Sequence, residues 1–273
     1  MKEQRVEVAL LSPDITGIYE SLKVYRSVFF RMEEHLDRFF DSARSLGLEV
    51  PKTRGEIRAE LKRELAESRK RDAFVRLTLV GDEIFIVVSE RKHSGGLYKR
   101  GVLLKTATVR RKLSNQEFPE AKSTSCVNQV LGTLDPAPAG NYEILFLNSE
   151  GYLTEARIGN FFMVKEGRLL TPPPVGLLNG VTRRFVIECA HRGKIPFEER
   201  PLMRHDLFNA EEAFLTNTSW EILPIREVDG RRVGGEIPGP VTAKLQKIFR
   251  SQVKKEIQKA KGARPLLIRR AKS

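Results

Sequence analysis

GYLTEARIGNFFMVKEGRLLTPP, residues 151–173, decides the fold. Within it GYLTEA, NFFMVKEG and RLLTPP read as short strands, and YEILFLN at 142–148 supplies another immediately upstream. Turns at Ser149-Glu150-Gly151 and Glu166-Gly167 separate these runs, and such short turns predict antiparallel neighbours. Downstream, Gly180 to His191 has Val181, Phe185, Cys189 and Ala190 on one side of a helix that Gly193 ends. Strands are expected at IPFEERP, EEAFLTN and EILPIREV, then a VDGRRV turn, and Pro240 begins a last helix through Phe249 that continues and frays into a basic tail.

Upstream the pattern differs. Leu36, Phe39, Phe40, Ala43 and Leu46 recur at helical spacing from Met32 to Leu46, with Gly47 as the stop, and Ile57, Leu61 and Leu65 mark a second helix. AFVRLTLV, EIFIVVSE and GVLLKTATV read as strands, the first two joined across Gly81-Asp82, so a helix pair and several strands make a compact first unit. LSNQEFPEA is polar, carries a proline and lacks periodicity. The expectation is therefore an α/β (α+β) chain: a small domain over 1–112, a connection at 113–120, a larger domain over 121–250 and a basic helical tail over 251–273, without internal repeats.

A 273-residue chain with 40% hydrophobic content can bury a sizeable core. The net charge of +13 invites a nucleic-acid reading, but the charge is spread through mixed runs such as Arg54 to Arg71, the look of a solvated helix face, and through the tail. Specific nucleic-acid binding is therefore not expected. The two cysteines, Cys126 and Cys189, and four histidines show neither disulfide nor zinc spacing. MKEQRVEVALLSPD has no secretory core and no apolar run approaches a membrane span, which points to a reducing cytoplasm.

Four separated positions converge on one chemistry. Lys122 lies in EAKSTSCVNQVLG, where a helix is expected through Leu131, Glu155 in GYLTEARIGNFFMV, Thr182 in LLNGVTRRFVIE and Thr218 in EEAFLTNTSWEILPI. They supply an amine able to form a Schiff base, a carboxylate suited to a pyridinium nitrogen, and two hydroxyl-plus-backbone anchors for a phosphate. That set points to pyridoxal 5'-phosphate. Taken singly, each has an ordinary alternative: a surface lysine, a strand-end glutamate, a helix cap.

From about Gly17 to Phe249 the chain resembles the class IV aminotransferases, the fold-type IV pyridoxal phosphate enzymes that include branched-chain and D-amino acid aminotransferases and aminodeoxychorismate lyases. GIYESLKVY, FFRMEEHLDRFFDSARSLGLEVP, GYLTEARIGNFF, LLNGVTRRFVIE and FLTNTSWEILPI carry the likeness. It implies two α/β domains with the cofactor between them, in a homodimer. It also implies roles: Lys122 as the catalytic lysine that joins the cofactor and shuttles the proton, Glu155 facing the ring nitrogen, and Arg38, Val181, Thr182, Asn217 and Thr218 holding the phosphate. Tyr19, Lys23, Tyr25 and Arg76 fall where the family lines its substrate pocket.

The chain also departs from the pattern. Cys126 and Val127 stand where branched-chain enzymes keep an Asn-Tyr pair, and Asn128 to Leu131 has a lyase flavour, while Glu221 is an acid that aminotransferases retain. Arg157 and Ile158 replace small residues after the glutamate, and only SPDITG precedes Tyr19 where a longer hairpin is usual. The expected reaction is amino transfer between an amino acid, branched-chain-like or D-, and a 2-oxoacid. The alternatives are aminodeoxychorismate lyase chemistry with pyruvate release, and a basic binding module with a vestigial cofactor site.

Overall fold

The structure, a computed structural model, describes residues 17–108, 110, 120–123 and 143–262. All but the first two residues of the helix expected from Lys122 through Leu131, the positions Cys126 and Val127, nearly all of the connection at 113–120, the residues before 17 and the tail beyond 262 fall outside them.

The first unit is a four-stranded antiparallel sheet in the order β2-β1-β3-β4. Its strands are β1 (Gly17–Tyr25), β2 (Val28–Phe29), β3 (Ala73–Val80) and β4 (Glu83–Ser89). Helices α1 (Met32–Ser45) and α2 (Arg54–Glu67) cover one face, and the capping box that Thr53 forms with Glu56 starts α2. Alternation on β3 makes the two faces differ. Val75, Leu77 and Leu79 pack on Leu36, Phe39, Ile57 and Leu61 of the helices, whereas Phe74, Arg76 and Thr78 point the other way by the period of a strand. A one-turn helix, α3 (Gly95–Arg100), follows β4.

GVLLKTATV was expected in the first unit, but β5 (Val102–Thr106) belongs to the second sheet, where it runs parallel to both neighbours. Sequence pattern identifies a strand without naming its partners, which is why the assignment failed. That nine-stranded sheet continues with β6 (Glu143–Leu147), β7 (Leu153–Ala156), β8 (Gly159–Lys165), β9 (Arg168–Thr171), β10 (Phe197–Glu199), β11 (Glu212–Asn217), β12 (Glu221–Val228) and β13 (Arg231–Arg232). The strands from YEILFLN through RLLTPP are antiparallel neighbours as expected. Glu155 pairs with Asn160 in register, so β7 meets β8 and the path through β11, β12, β5 and β6 closes into a ring.

β8 and β11 are buried on both faces. Phe161, Met163 and Leu215 face the ring's interior, while Phe162, Val164 and Phe214 face α4 (Val181–Arg192) and α6 (Pro240–Gly262). Phe162 and Phe214 stack with centroids 5.1 Å apart. A short helix, α5 (Arg204–Phe208), closes the ring's end with Leu207. The stretch from residue 251, expected as a basic helical tail, continues α6 to Gly262, and Val253 and Ile257 are buried against the core.

Arg31, in a left-handed conformation at φ 50°, ties the two units together. Its guanidinium donates to both oxygens of Glu188 at 2.6 and 2.7 Å and to Glu256 at 3.0 Å, and lies 4.4 Å from the Phe185 ring.

Candidate active site

Between the two sheets opens a cleft. Its lining brings together Tyr19, Arg38, Arg76, Lys122, Glu155, Val181, Thr182, Asn217 and Thr218, nine of the positions singled out above. Lys23 and Tyr25 are not among its lining residues; both bond Glu221 instead.

Lys122 is held by backbone. The amide of Tyr19 donates to its carbonyl at 2.9 Å, its own amide donates to Ser42 Oγ at 3.1 Å, and Ser123 bridges Ile18. The flexible part is thus confined to the side chain, whose Nζ lies 4.8 Å from the Tyr19 ring centroid.

Glu155 is 5% exposed, and its neighbours Leu153, Phe161 and Phe162 are buried. Asn160 Nδ2 donates to one of its oxygens at 3.1 Å, the amide of Leu178 donates to the other at 3.3 Å, and Asn160 also bonds the Leu178 carbonyl. Asn160 thereby aims the carboxylate and fixes the loop that leads to α4. Gly180, the residue before that helix, has no room for a side chain, because a Cβ there would overlap Asn160 Oδ1. No side chain caps α4, so the first amides at Val181 and Thr182 meet the cleft without an internal acceptor.

Arg38 comes from α1 and is gripped by Glu20, which is fully buried on β1. Nε and Nη2 donate to the two carboxylate oxygens at 2.6 and 2.9 Å, and His35 Nδ1 lies 2.8 Å from the same group. Burial pushes the Glu20 carboxyl upward, but the Arg38 charge and the His35 and Arg38 hydrogen bonds overcome it and hold the group well below the usual range. Burial lowers His35, against the opposing pull of Glu20. Among the described residues, buried Arg38 Nη1 has no hydrogen-bond partner, and neither has Thr216 Oγ1, another cleft residue.

A turn from β11 to β12 makes the facing wall. Asn217 Oδ1 accepts from the amides of Ser219 and Trp220 at 2.9 and 2.8 Å, and its Nδ2 donates to the Ile158 carbonyl. The Asn217 side chain is therefore spent on the turn, leaving Thr218 and backbone to face a ligand. Arg76 lies 4.5 Å from the Tyr19 centroid, and Arg91 lies 4.0 Å from that of Phe74. Arg91, Ser21, Thr216 and Ser219 were not anticipated, since only the folded sheet register brings them to the cleft. Arg157 and Ile158 do line it, with Arg157 Nε donating to buried Glu143 at 3.2 Å.

Residues 17–228 match the family described as amino-transferase class IV. The chain belongs to this family. A branched-chain-amino-acid aminotransferase of Pseudomonas aeruginosa is 31% identical over 255 residues, covering 85% of this chain and 82% of that protein. A D-alanine aminotransferase of Bacillus licheniformis is 26% identical and covers 89% of each. The crystal structure of the branched-chain amino acid aminotransferase of Escherichia coli superimposes with a TM-score of 0.82 at 27% identity, covering 86% of this chain and 85% of that one. The protein is a class IV aminotransferase with the mixed α/β fold of the fold-type IV enzymes.

Pyridoxal phosphate is the cofactor that this membership implies, and the residues fit it. The unpaired Arg38 Nη1, the unpaired Thr216 Oγ1 and the uncapped start of α4 are donors suited to a phosphate. Glu155, held as a hydrogen-bond acceptor, is suited to a protonated ring nitrogen. Among the described residues no cluster suits a metal ion, and no helix is long and apolar enough to cross a membrane.

Proposed function

We propose that this chain transfers the amino group of an amino acid, branched-chain-like or D-, to a 2-oxoacid, with pyridoxal 5'-phosphate bound in the cleft and Lys122 as its catalytic residue. The observation that carries the reading is the convergence of Lys122, Glu155 and a buried arginine with a free N–H edge on one cleft. When bound, the cofactor supplies an electron sink for the bond broken at the substrate α-carbon.

The residues divide the remaining work. Lys122, anchored through its backbone with its Nζ over the Tyr19 ring, takes the proton from the α-carbon and returns it on the cofactor side. Glu155 keeps the ring nitrogen protonated. Arg38, Val181, Thr182, Thr218 and the turn shaped by Asn217 hold the phosphate, and Arg76, stacked over Tyr19, meets a substrate carboxylate. Lys23 and Tyr25 act one layer behind this wall, through Glu221.

We further place the enzyme in the cytoplasm as a homodimer. Val175, 75% exposed on the loop before Leu178, and Ile158, 42% exposed at the cleft, are apolar surface that a second copy would cover. The named relatives put amino transfer ahead of the lyase reaction. The binding-module reading loses ground because the stretch from 251 to 262 packs through Val253 and Ile257.

The test is a substrate-screened absorbance spectrum of the purified protein. Single amino acids, L and D, should convert the cofactor band to that of the pyridoxamine form, and a 2-oxoacid should restore it. Release of pyruvate from aminodeoxychorismate without any amino acceptor would replace this reading with the lyase one.

A further inference from the structure

Behind the cleft wall, the turn that joins β11 to β12 is gripped from outside its own sheet. Lys23 Nζ, on β1, lies 2.7 Å from Glu221 Oε1 and donates to the Ser219 carbonyl at 3.1 Å. Tyr25 OH, on the same strand, donates to the same Glu221 oxygen at 2.8 Å. His93 Nε2, beyond β4, lies 2.7 Å from Ser219 Oγ, and Tyr98 OH of α3 donates to the Trp220 carbonyl at 2.9 Å. Glu221 itself is left-handed at φ 66°, a conformation that non-glycine residues rarely adopt. Such a residue persists only where its surroundings hold it.

Ser219 is 8% exposed and Trp220 3% exposed, so the turn that these bonds grip is itself buried. Side chains from the first unit and the segment after it thus impose the backbone of a turn in the second, and Thr218 and Ser219 of that turn line the cleft. We infer that Lys23, Tyr25, His93 and Glu221 are positioning residues: a clasp across the two units that presets the turn at 217–220 to receive an anionic group, a phosphate or a carboxylate. This assigns Lys23 and Tyr25 work without substrate contact, and it rests on the function proposed above.

The clasp can be tested in full-length holoenzyme with Glu221→Gly, Lys23→Met and the conservative Lys23→Arg. Glycine relieves the left-handed strain while removing the carboxylate, so Glu221→Gly should keep its Tm within about 5 °C of the parent. It should nevertheless raise the cofactor dissociation constant or the KM of the amino donor about tenfold, with kcat changed much less, the size expected for losing a charge-assisted hydrogen bond. A change in cofactor dissociation identifies the anion as the phosphate; a change in KM alone identifies it as the substrate carboxylate. Lys23→Met should reproduce the effect and Lys23→Arg should recover most of it. Cofactor dissociation and KM both within about twofold of the parent in Glu221→Gly and Lys23→Met would overturn the clasp. A parent that binds cofactor but transfers no amino group would overturn the functional reading and the clasp with it, whereas an active parent with unchanged variants overturns the clasp alone.

Discussion

At the inner end of the cleft Arg38 is locked to Glu20 through two short bonds, with His35 closing the cluster and a single guanidinium edge left free. At the mouth, Arg76 and Arg91 lie over Tyr19 and Phe74 with no acidic partner among the described residues. Burial lowers the Arg91 pKa, and the nearby Arg76 charge lowers it further. The first arrangement suits a ligand that stays, because its cation is aimed before the ligand arrives. The second suits anions that come and go, since flat guanidiniums stacked on rings keep their N–H edges open. A transfer cycle needs both: one permanent occupant, and two substrates that take turns.

The comparison breaks most severely at the residue shared by both ends. Lys122→Ala should lower kcat by roughly 10³-fold or more, measured under saturating cofactor and substrates. At the inner end, Glu20→Gln leaves Arg38 buried without its counter-charge. We expect a stability loss of about 3–5 kcal/mol by denaturant titration, together with weaker cofactor retention. Glu20 is held below its ordinary value of 4.5, so its stabilisation is fully present above that pH and lost as pH falls below it. The gap between parent and Glu20→Gln should therefore narrow on acidification; a gap constant from pH 7 to about 3 would contradict the ion-pair account.

At the mouth, Arg76→Met should raise the KM of the amino donor about 10- to 100-fold while leaving the Tm nearly unchanged, because a stacked arginine without an ion pair contributes little to folding. Gly180→Ala should displace Asn160 and loosen the aim of Glu155, lowering activity about tenfold with a small drop in Tm. Arg91→Gln should have the smallest effect, about threefold on KM, since Arg91 is only partly buried and is the more exposed of the two arginines. If Arg91→Gln proved costlier than Arg76→Met, the two mouth arginines would have to exchange roles.

Much of this was legible in the sequence. Alternating apolar runs announced β3, β7, β8 and β11, and helical spacing announced α1, α2 and α4. Lys122, Glu155, Thr182 and Thr218 stood out because each lies in a local run of distinctive residues, and the fold brings all four to one cleft. What escaped was non-local. β5 reads as a strand of the first unit and pairs in the second, because period-two patterning carries no partner information. α3 and α5 are too short for periodicity to register. The grip of Glu20 on Arg38, and that of Lys23 and Tyr25 on Glu221, joins residues 18 and 196 or more positions apart. Tyr25 and Lys23 read as pocket residues from their block; in the fold both bond Glu221, and they line a neighbouring cavity that shares Phe74, Arg91 and Ser219 with the cleft.

The most direct test of the whole account is reduction of the purified protein with borohydride followed by peptide mapping. A pyridoxyl group should be fixed on the peptide that contains Lys122. A label on another lysine, or none on protein that holds the cofactor, would contradict it.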